Sequence, residues 1–232
     1  MLKKFAMMTV ASFLALTMIN GQSIGFEFGG HFRNLLLSDQ FNEVFDSPFK
    51  IGGSIGANAL IPLGSQRLQL FPAVRYITKG GDLKVDENLG SVDGVNDGKM
   101  RLSYLEFAPQ LQIRFSEDSK SFFLAGGPTL NLGIGGKCDH CLNKSAQFGS
   151  TFVDDFKSLT FGVNLSGGII RTNEETSKTF FSAINIGFGF DDVRTEGGPY
   201  TDSYRTQPTL GGILQNFYIG LNFGYLFPLY TH

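Results

Sequence analysis

Charge is scarce in this chain. Asp, Glu, Lys and Arg make up 17% of its 232 residues, against about 25% for an ordinary soluble domain. Basic excess is missing too, since the formal net charge is −2, and without a cationic field nothing gathers nucleic acid. Long apolar runs are confined to the N-terminus. With 42% hydrophobic residues and a mean hydropathy of +0.01, the chain is too polar for a bundle of membrane helices, each of which needs about 20 consecutive apolar residues. What is plentiful is glycine, with 30 residues, and phenylalanine, with 24. Glycine at about 13% is nearly twice its usual ~7%, a composition of strands and tight turns.

Lys3 and Lys4 precede an uncharged run from Phe5 to Ile19, and the small or polar residues Asn20, Gly21, Gln22 and Ser23 follow it. This order of charge, apolar core and cleavable exit is that of a secretory signal peptide. The expectation is a leader over residues 1–22 and one β-barrel domain over 23–232. Neither cysteine lies near the exit, so lipoprotein acylation has no nucleophile. Loss of the two lysines brings the formal charge to −4.

From residue 24 onward apolar residues recur at every second position, the period of a half-exposed strand. Eight strands are expected, over 24–34, 49–61, 67–79, 102–115, 122–135, 159–170, 179–190 and 213–227. Short and long connections alternate, as in outer-membrane barrels with brief periplasmic turns and long external loops. Sorted by parity, one face carries residues such as Ile51, Ile55, Val74, Leu111, Leu165 and Phe223 and no charge. The other face carries all the strand charges: Glu27, Arg33, Lys50, Arg67, Arg75, Lys79, Glu106 and Arg114. Small residues such as Gly56, Gly127, Asn164 and Gly220 share that charged face, which suits a crowded lumen. An eight-stranded barrel is only wide enough to be filled by its side chains, so the lumen charges must pair and a plug is expected, not a pore. Aromatic residues of the apolar phase collect near both strand ends, Phe26, Phe115, Phe122, Phe180 and Phe227 at one rim and Phe32, Phe49, Tyr76, Phe190 and Phe217 at the other. Two such girdles are a bilayer signature, and a strand of about 13 residues tilted by ~40° rises roughly 33 Å, enough for the apolar band. Pro72, Pro109 and Pro128 fall within strands, where they withhold ladder donors, and bulges are expected there. The uncharged stretch 206–232 reads as a last strand, not a helix, because glycine and proline interrupt it.

Several stretches are familiar in detail: Lys79-Gly80-Gly81-Asp82-Leu83, Tyr104-Leu105-Glu106-Phe107-Ala108-Pro109-Gln110-Leu111, Phe122 to Pro128, and the closing Gly220-Leu221-Asn222-Phe223-Gly224-Tyr225-Leu226-Phe227. With the leader, they resemble the PorT-like outer-membrane β-barrel family of Bacteroidetes-type bacteria. The resemblance implies an integral outer-membrane barrel in a family with a founding member associated with secretion and maturation of surface proteases. In this chain Pro228 to His232 follow the terminal aromatic Phe227, a departure from a barrel that ends on phenylalanine.

Candidate chemistry is sparse. Cys138 and Cys141 form a C-x-x-C pair in Lys137-Cys138-Asp139-His140-Cys141. In an exported chain a short disulfide ring is the simplest reading, ahead of a metal site, which would need further ligands. Acids crowd the long connections, among them Asp39, Glu43 and Asp46, Asp82 to Asp97, Asp154 and Asp155, and Asp191 to Asp202. The segment Asp93 to Gly98 lacks the EF-hand spacing. Divalent cations bridging such loops to lipopolysaccharide would suit their charge. Inside, the expected ion pairs are Arg75 with Glu106 and Glu27 with Arg114, with Arg33 completing a lumen charge network. Of the three histidines, His31 is expected inside, His140 in a loop and His232 in the tail.

The chain therefore reads as all-β, an eight-stranded antiparallel up-and-down transmembrane barrel of the cell outer membrane, monomeric, without catalytic residues, cofactor or metal. Its expected partners are outer-membrane lipid, lipopolysaccharide, and envelope or secretion proteins met through the outer loops, with no nucleic acid. Two alternatives remain: a soluble lipocalin-like ligand barrel with its apolar face inward, which the absence of tryptophan disfavours, and an outer-membrane hydrolase using His140 with Asp154 and Asp155.

Overall fold

The computed structural model describes residues 22–37, 45–85, 98–138, 148–149, 156–194 and 213–229; the expected leader lies outside them. Eight long strands dominate, β1 (Ser23–Leu37), β2 (Lys50–Pro62), β3 (Leu68–Lys79), β4 (Gly98–Arg114), β5 (Lys120–Cys138), β6 (Leu159–Thr172), β7 (Thr179–Gly189) and β8 (Leu214–Pro228). Each pairs antiparallel with its sequence neighbours, and β1 pairs with β8 over its whole length to close the barrel. Closure removes every exposed edge from the barrel wall, the condition for β-structure in hydrocarbon. Beyond the long-loop rim the β3–β4 hairpin continues as a narrower ladder, in which Asp82 and Leu83 face Lys99 and Gly98 and Phe45 and Asp46 add a third strand.

The period-two pattern places its two faces as expected from the sequence. Outward residues are bare: Ile51 is 80% exposed, Phe122 64% and Leu165 56%, whereas the inward Arg75 and Glu106 are 2% and 0% exposed. Left in water, such an exterior would forgo about 25 cal/mol for every Å² of apolar surface, so hydrocarbon is its solvent. A soluble barrel with its apolar face inward is thereby overturned, because the inward row carries the charges. The aromatic girdles are in place, with Phe26, Phe115, Phe122, Phe180 and Phe227 exposed at the short-turn rim and Phe32, Phe49, Tyr76 and Phe190 at the other.

Two details differ from the sequence expectation. No bulge forms at the prolines. Pro72 and Pro109 face each other in an unshifted β3–β4 register, and between β4 and β5 the pairs around Pro109 and Pro128 drop out while the register on either side stays the same. A proline removes a donor but adds no residue, and only an added residue displaces a ladder. The β4–β5 shift lies instead at Ser103/Tyr104, opposite Gly133 to Gly135, and Gly135 there has a φ of 153°, a region that glycine enters without steric cost. Second, β4, β5 and β6 run past their expected ends, carrying Arg101, Lys120, Lys137 and Arg171 onto the barrel wall and Lys99 into the ladder just beyond it. All five side chains are exposed.

Candidate functional site

The best-defined constellation of polar groups lies in the lumen. Glu27 of β1, Gly56 of β2, Arg75 of β3, Glu106 of β4 and Asn131 of β5 stand opposite one another in a single cross-strand row. Gly56 has no side chain to separate its neighbours, and a Cβ there would collide with the backbone of Val74 and Arg75. Across that gap the Arg75 guanidinium pairs with Glu27 through Nε and Oε1. Its Nη1 reaches Glu106 Oε1 at 3.1 Å. Lys79, two pleat repeats further along β3, donates from Nζ to Glu106 Oε2 and to Asn131 Oδ1, both at 2.6 Å. Asn58 Nδ2 donates to Glu27 Oε2 at 3.1 Å. Two carboxylates thus balance two cations, all four almost without solvent contact. Neutrality matters here: an uncompensated ion in a low-dielectric interior costs several kcal/mol.

Aromatic rings complete the belt. Lys79 Nζ lies 5.2 Å from the Tyr218 ring centroid and 5.7 Å from that of Tyr104, within cation–π reach. Tyr218 lies against Gly187, where a Cβ would strike its ring, and its hydroxyl accepts a hydrogen bond from Asn164 Nδ2 at 2.8 Å. His31 donates from Nε2 to the Thr78 carbonyl at 2.7 Å and stacks at a tilt on Tyr218, with centroids 5.3 Å apart. That histidine is a packed structural group of the barrel interior.

Apolar layers close the lumen on both sides of the belt. Toward the short turns Leu60, Phe71, Phe123, Ile170, Phe181 and Leu226 form one cluster, in which the Phe181 and Phe71 rings meet edge to face at 5.3 Å and 88°. Toward the long loops Leu35, Ile77, Leu102 and Tyr104 pack with Phe45, Leu83, Phe156 and Val193 brought in from the connections. A polar cavity of about 480 Å³ opens at the short-turn mouth between Gln69, Arg114, Asp118 and Thr172, and Leu60 lines it.

The residues singled out from the sequence distribute unevenly over this architecture. Glu27, Arg75 and Glu106 come together. Glu27 does not pair with Arg114, because its cross-strand row reaches β4 at Glu106, far from the strand end. Arg114 instead donates from Nη2 to the Asp118 carbonyl at 2.8 Å in the adjoining turn. Arg33 donates from Nη1 to the carbonyls of Lys79 and Met100, both at 2.9 Å, clamping the start of the outer hairpin. Cys138 is disulfide-bonded; Cys141, the chain's only other cysteine, lies outside the described residues. So do His140, Asp154, Asp155, His232 and most of the loop acids. Three of the described loop acids serve the structure: Asp82 pairs with Lys50 at 2.9 Å, Asp191 accepts from the Phe161 amide at 2.6 Å, and Asp192 pairs with Arg194 at 2.8 Å. Among the described residues no group of three or more His, Cys, Asp or Glu is placed to hold a metal ion. Sequence reasoning missed Lys79 as the second cation of the belt, although its parity and its spacing of four from Arg75 carried the signal.

Comparison with known proteins gives a family. The profile described as outer membrane protein beta-barrel domain matches residues 17–195. No curated protein matches the chain. Among solved structures, the outer membrane protease OmpT from Escherichia coli is similar at 12% identity, with 90% of this chain and 96% of that chain covered and a TM-score of 0.34.

Proposed function

From the premise that this chain belongs to the outer membrane protein β-barrel domain family, we propose that it is a sealed, non-catalytic scaffold that presents its long loops to other envelope proteins, as an accessory of secretion or surface assembly. The protein is an integral barrel of the outer membrane. One observation carries the proposal: a charge-neutral belt of Glu27, Arg75, Lys79 and Glu106 between two apolar layers. A lumen packed in this way leaves solute no path from one mouth to the other. Eight strands enclose too little space for both a packed core and a conduit, so the surfaces left for function are the rims and the loops. The PorT-like resemblance of the closing strand and of the β4 stretch points to the same class of role.

The test is site-specific photo-cross-linking in intact cells, with the reactive amino acid placed at Asp191 on the long-loop rim and, as a control, at Glu174 in a short turn. Discrete adducts with other envelope proteins at position 191 are the expected result. Adducts absent from both positions, with the barrel folded and inserted, would remove the interaction role.

A further inference from the structure

Charge on the outward face of the barrel strands has one sign. Lys99, Arg101, Lys120, Lys137 and Arg171 point away from the lumen and are exposed, and none of the eight barrel strands places an acid on that face. Among the described residues their arrangement is unfavourable. Arg101 of β4 is the direct cross-strand partner of Lys137 of β5, and like charges directly opposite one another in a ladder repel. Lys99 sits two residues from Arg101 on the same face, making a triad. No described carboxylate pairs with any of the three: Asp82 stands across from Lys99, but its carboxylate is held by Lys50 at 2.9 Å, and Asp46 stands across from Lys84. At the opposite rim the like-charged pair Lys120 and Arg171 has relief at hand, since Arg171 shares a surface pocket with Glu174 and Glu175.

The triad also sits at a defined depth. It lies just beyond the level of Tyr76 and Ser103, where the girdle ends and the long-loop rim begins. In an outer-membrane barrel that rim faces the cell exterior, so the cations lie at the phosphate level of the outer leaflet. We propose that Lys99, Arg101 and Lys137 form a binding site for the phosphate groups of a phosphorylated outer-leaflet lipid, which supplies between β4 and β5 a counter-charge that none of the described carboxylates provides. Arg101 offers the planar fork that takes two phosphate oxygens, and the lysines act as point charges beside it. The acyl chains of the same lipid lie against the apolar wall below, on Leu105 and Ile134, which are 41% and 51% exposed. This site is independent of the scaffold reading, since a barrel of any activity would need its outer rim seated in the membrane.

The experiment uses the full barrel in phosphatidylcholine bilayers, with bis-phosphorylated lipid A, dephosphorylated lipid A or inorganic phosphate added, read by native mass spectrometry for bound lipid and by thermal unfolding. At roughly a fivefold contribution from each lost charge near the surface, R101Q/K137Q binds bis-phosphorylated lipid A roughly thirtyfold more weakly than the parent. K99Q shows a smaller loss in the same direction. The sign of the stability change then reverses with the membrane. In bilayers without lipid A the double variant unfolds at the same or a higher temperature, because the repulsion is gone, whereas with lipid A the parent is the more stable. Equal lipid A binding by parent and double variant would overturn the proposal, as would equal binding of dephosphorylated lipid A by the parent. Stabilisation of the parent by inorganic phosphate as large as that by lipid A would reassign the site to a soluble anion and overturn the lipid. A double variant less stable than the parent in both membranes would show that Arg101 and Lys137 serve packing alone.

Discussion

Glu106 is the residue on which the interior turns. It accepts from both cations of the belt, Arg75 and Lys79, and has no solvent contact. Glu106→Ala leaves two cations facing the single carboxylate of Glu27, and removing one partner from a buried ion cluster costs about 3–5 kcal/mol. The double substitution Glu106→Gln with Lys79→Met restores neutrality and is expected to recover more than half of that loss, because most of the cost belongs to the orphaned charge and not to the missing attraction. Urea unfolding of the barrel in lipid vesicles, followed by tyrosine fluorescence, measures both. A single variant as stable as the parent would mean that water reaches the belt.

At the scale of the strand, polarity on the two faces is set by different solvents, and substitutions test each face separately. Leu165 lies mid-strand in β6 with its side chain 56% exposed to the exterior. Leu165→Arg is expected to cost about 2–4 kcal/mol in a bilayer, as a cation at the midplane of a barrel wall does, while Leu159→Arg near the long-loop rim costs about 0–1 kcal/mol. Equal costs in the same refolding assay would place the hydrocarbon band elsewhere. This alternation is why the strands and their facing were legible in the sequence, each register error being one that would turn Arg75 or Glu106 into lipid. The ends of β4, β5 and β6 were less legible because Lys99, Arg101, Lys120, Lys137 and Arg171 interrupt the apolar phase, and a charge at the interface looks, in sequence, like a charge in a loop. The belt was legible only in part. Parity put Glu27, Arg75 and Glu106 inside, but which of them meet depends on the stagger between strands, and that follows from the closure of the whole sheet and not from any local pattern. Glu27 passes over Gly56 to Arg75, two strands away, and not to Arg114, which sits at the rim beside Asp118.

The whole molecule is a cylinder with an apolar exterior and a threefold closure inside, and its transport behaviour follows from that layering. An ion entering from the short-turn mouth finds the polar cavity beside Arg114, then the ring of Phe71, Phe123 and Phe181, then a belt whose fixed charges already satisfy one another, then a second apolar cluster. Dehydrating an ion at either apolar layer has no compensation, so the parent barrel in a planar bilayer is expected to show no conductance steps. Because the closures act in series, opening one leaves the others. Phe71→Ala with Phe181→Ala enlarges the mouth and lowers stability, each buried phenylalanine being worth about 3–5 kcal/mol on truncation, yet leaves the barrel non-conducting, since the ion belt and the outer cluster remain. Conductance in the parent would mean a water-filled lumen and would end the scaffold reading. Conductance only in the double variant would show that the lower layer alone seals the barrel and that the belt serves stability without blocking passage.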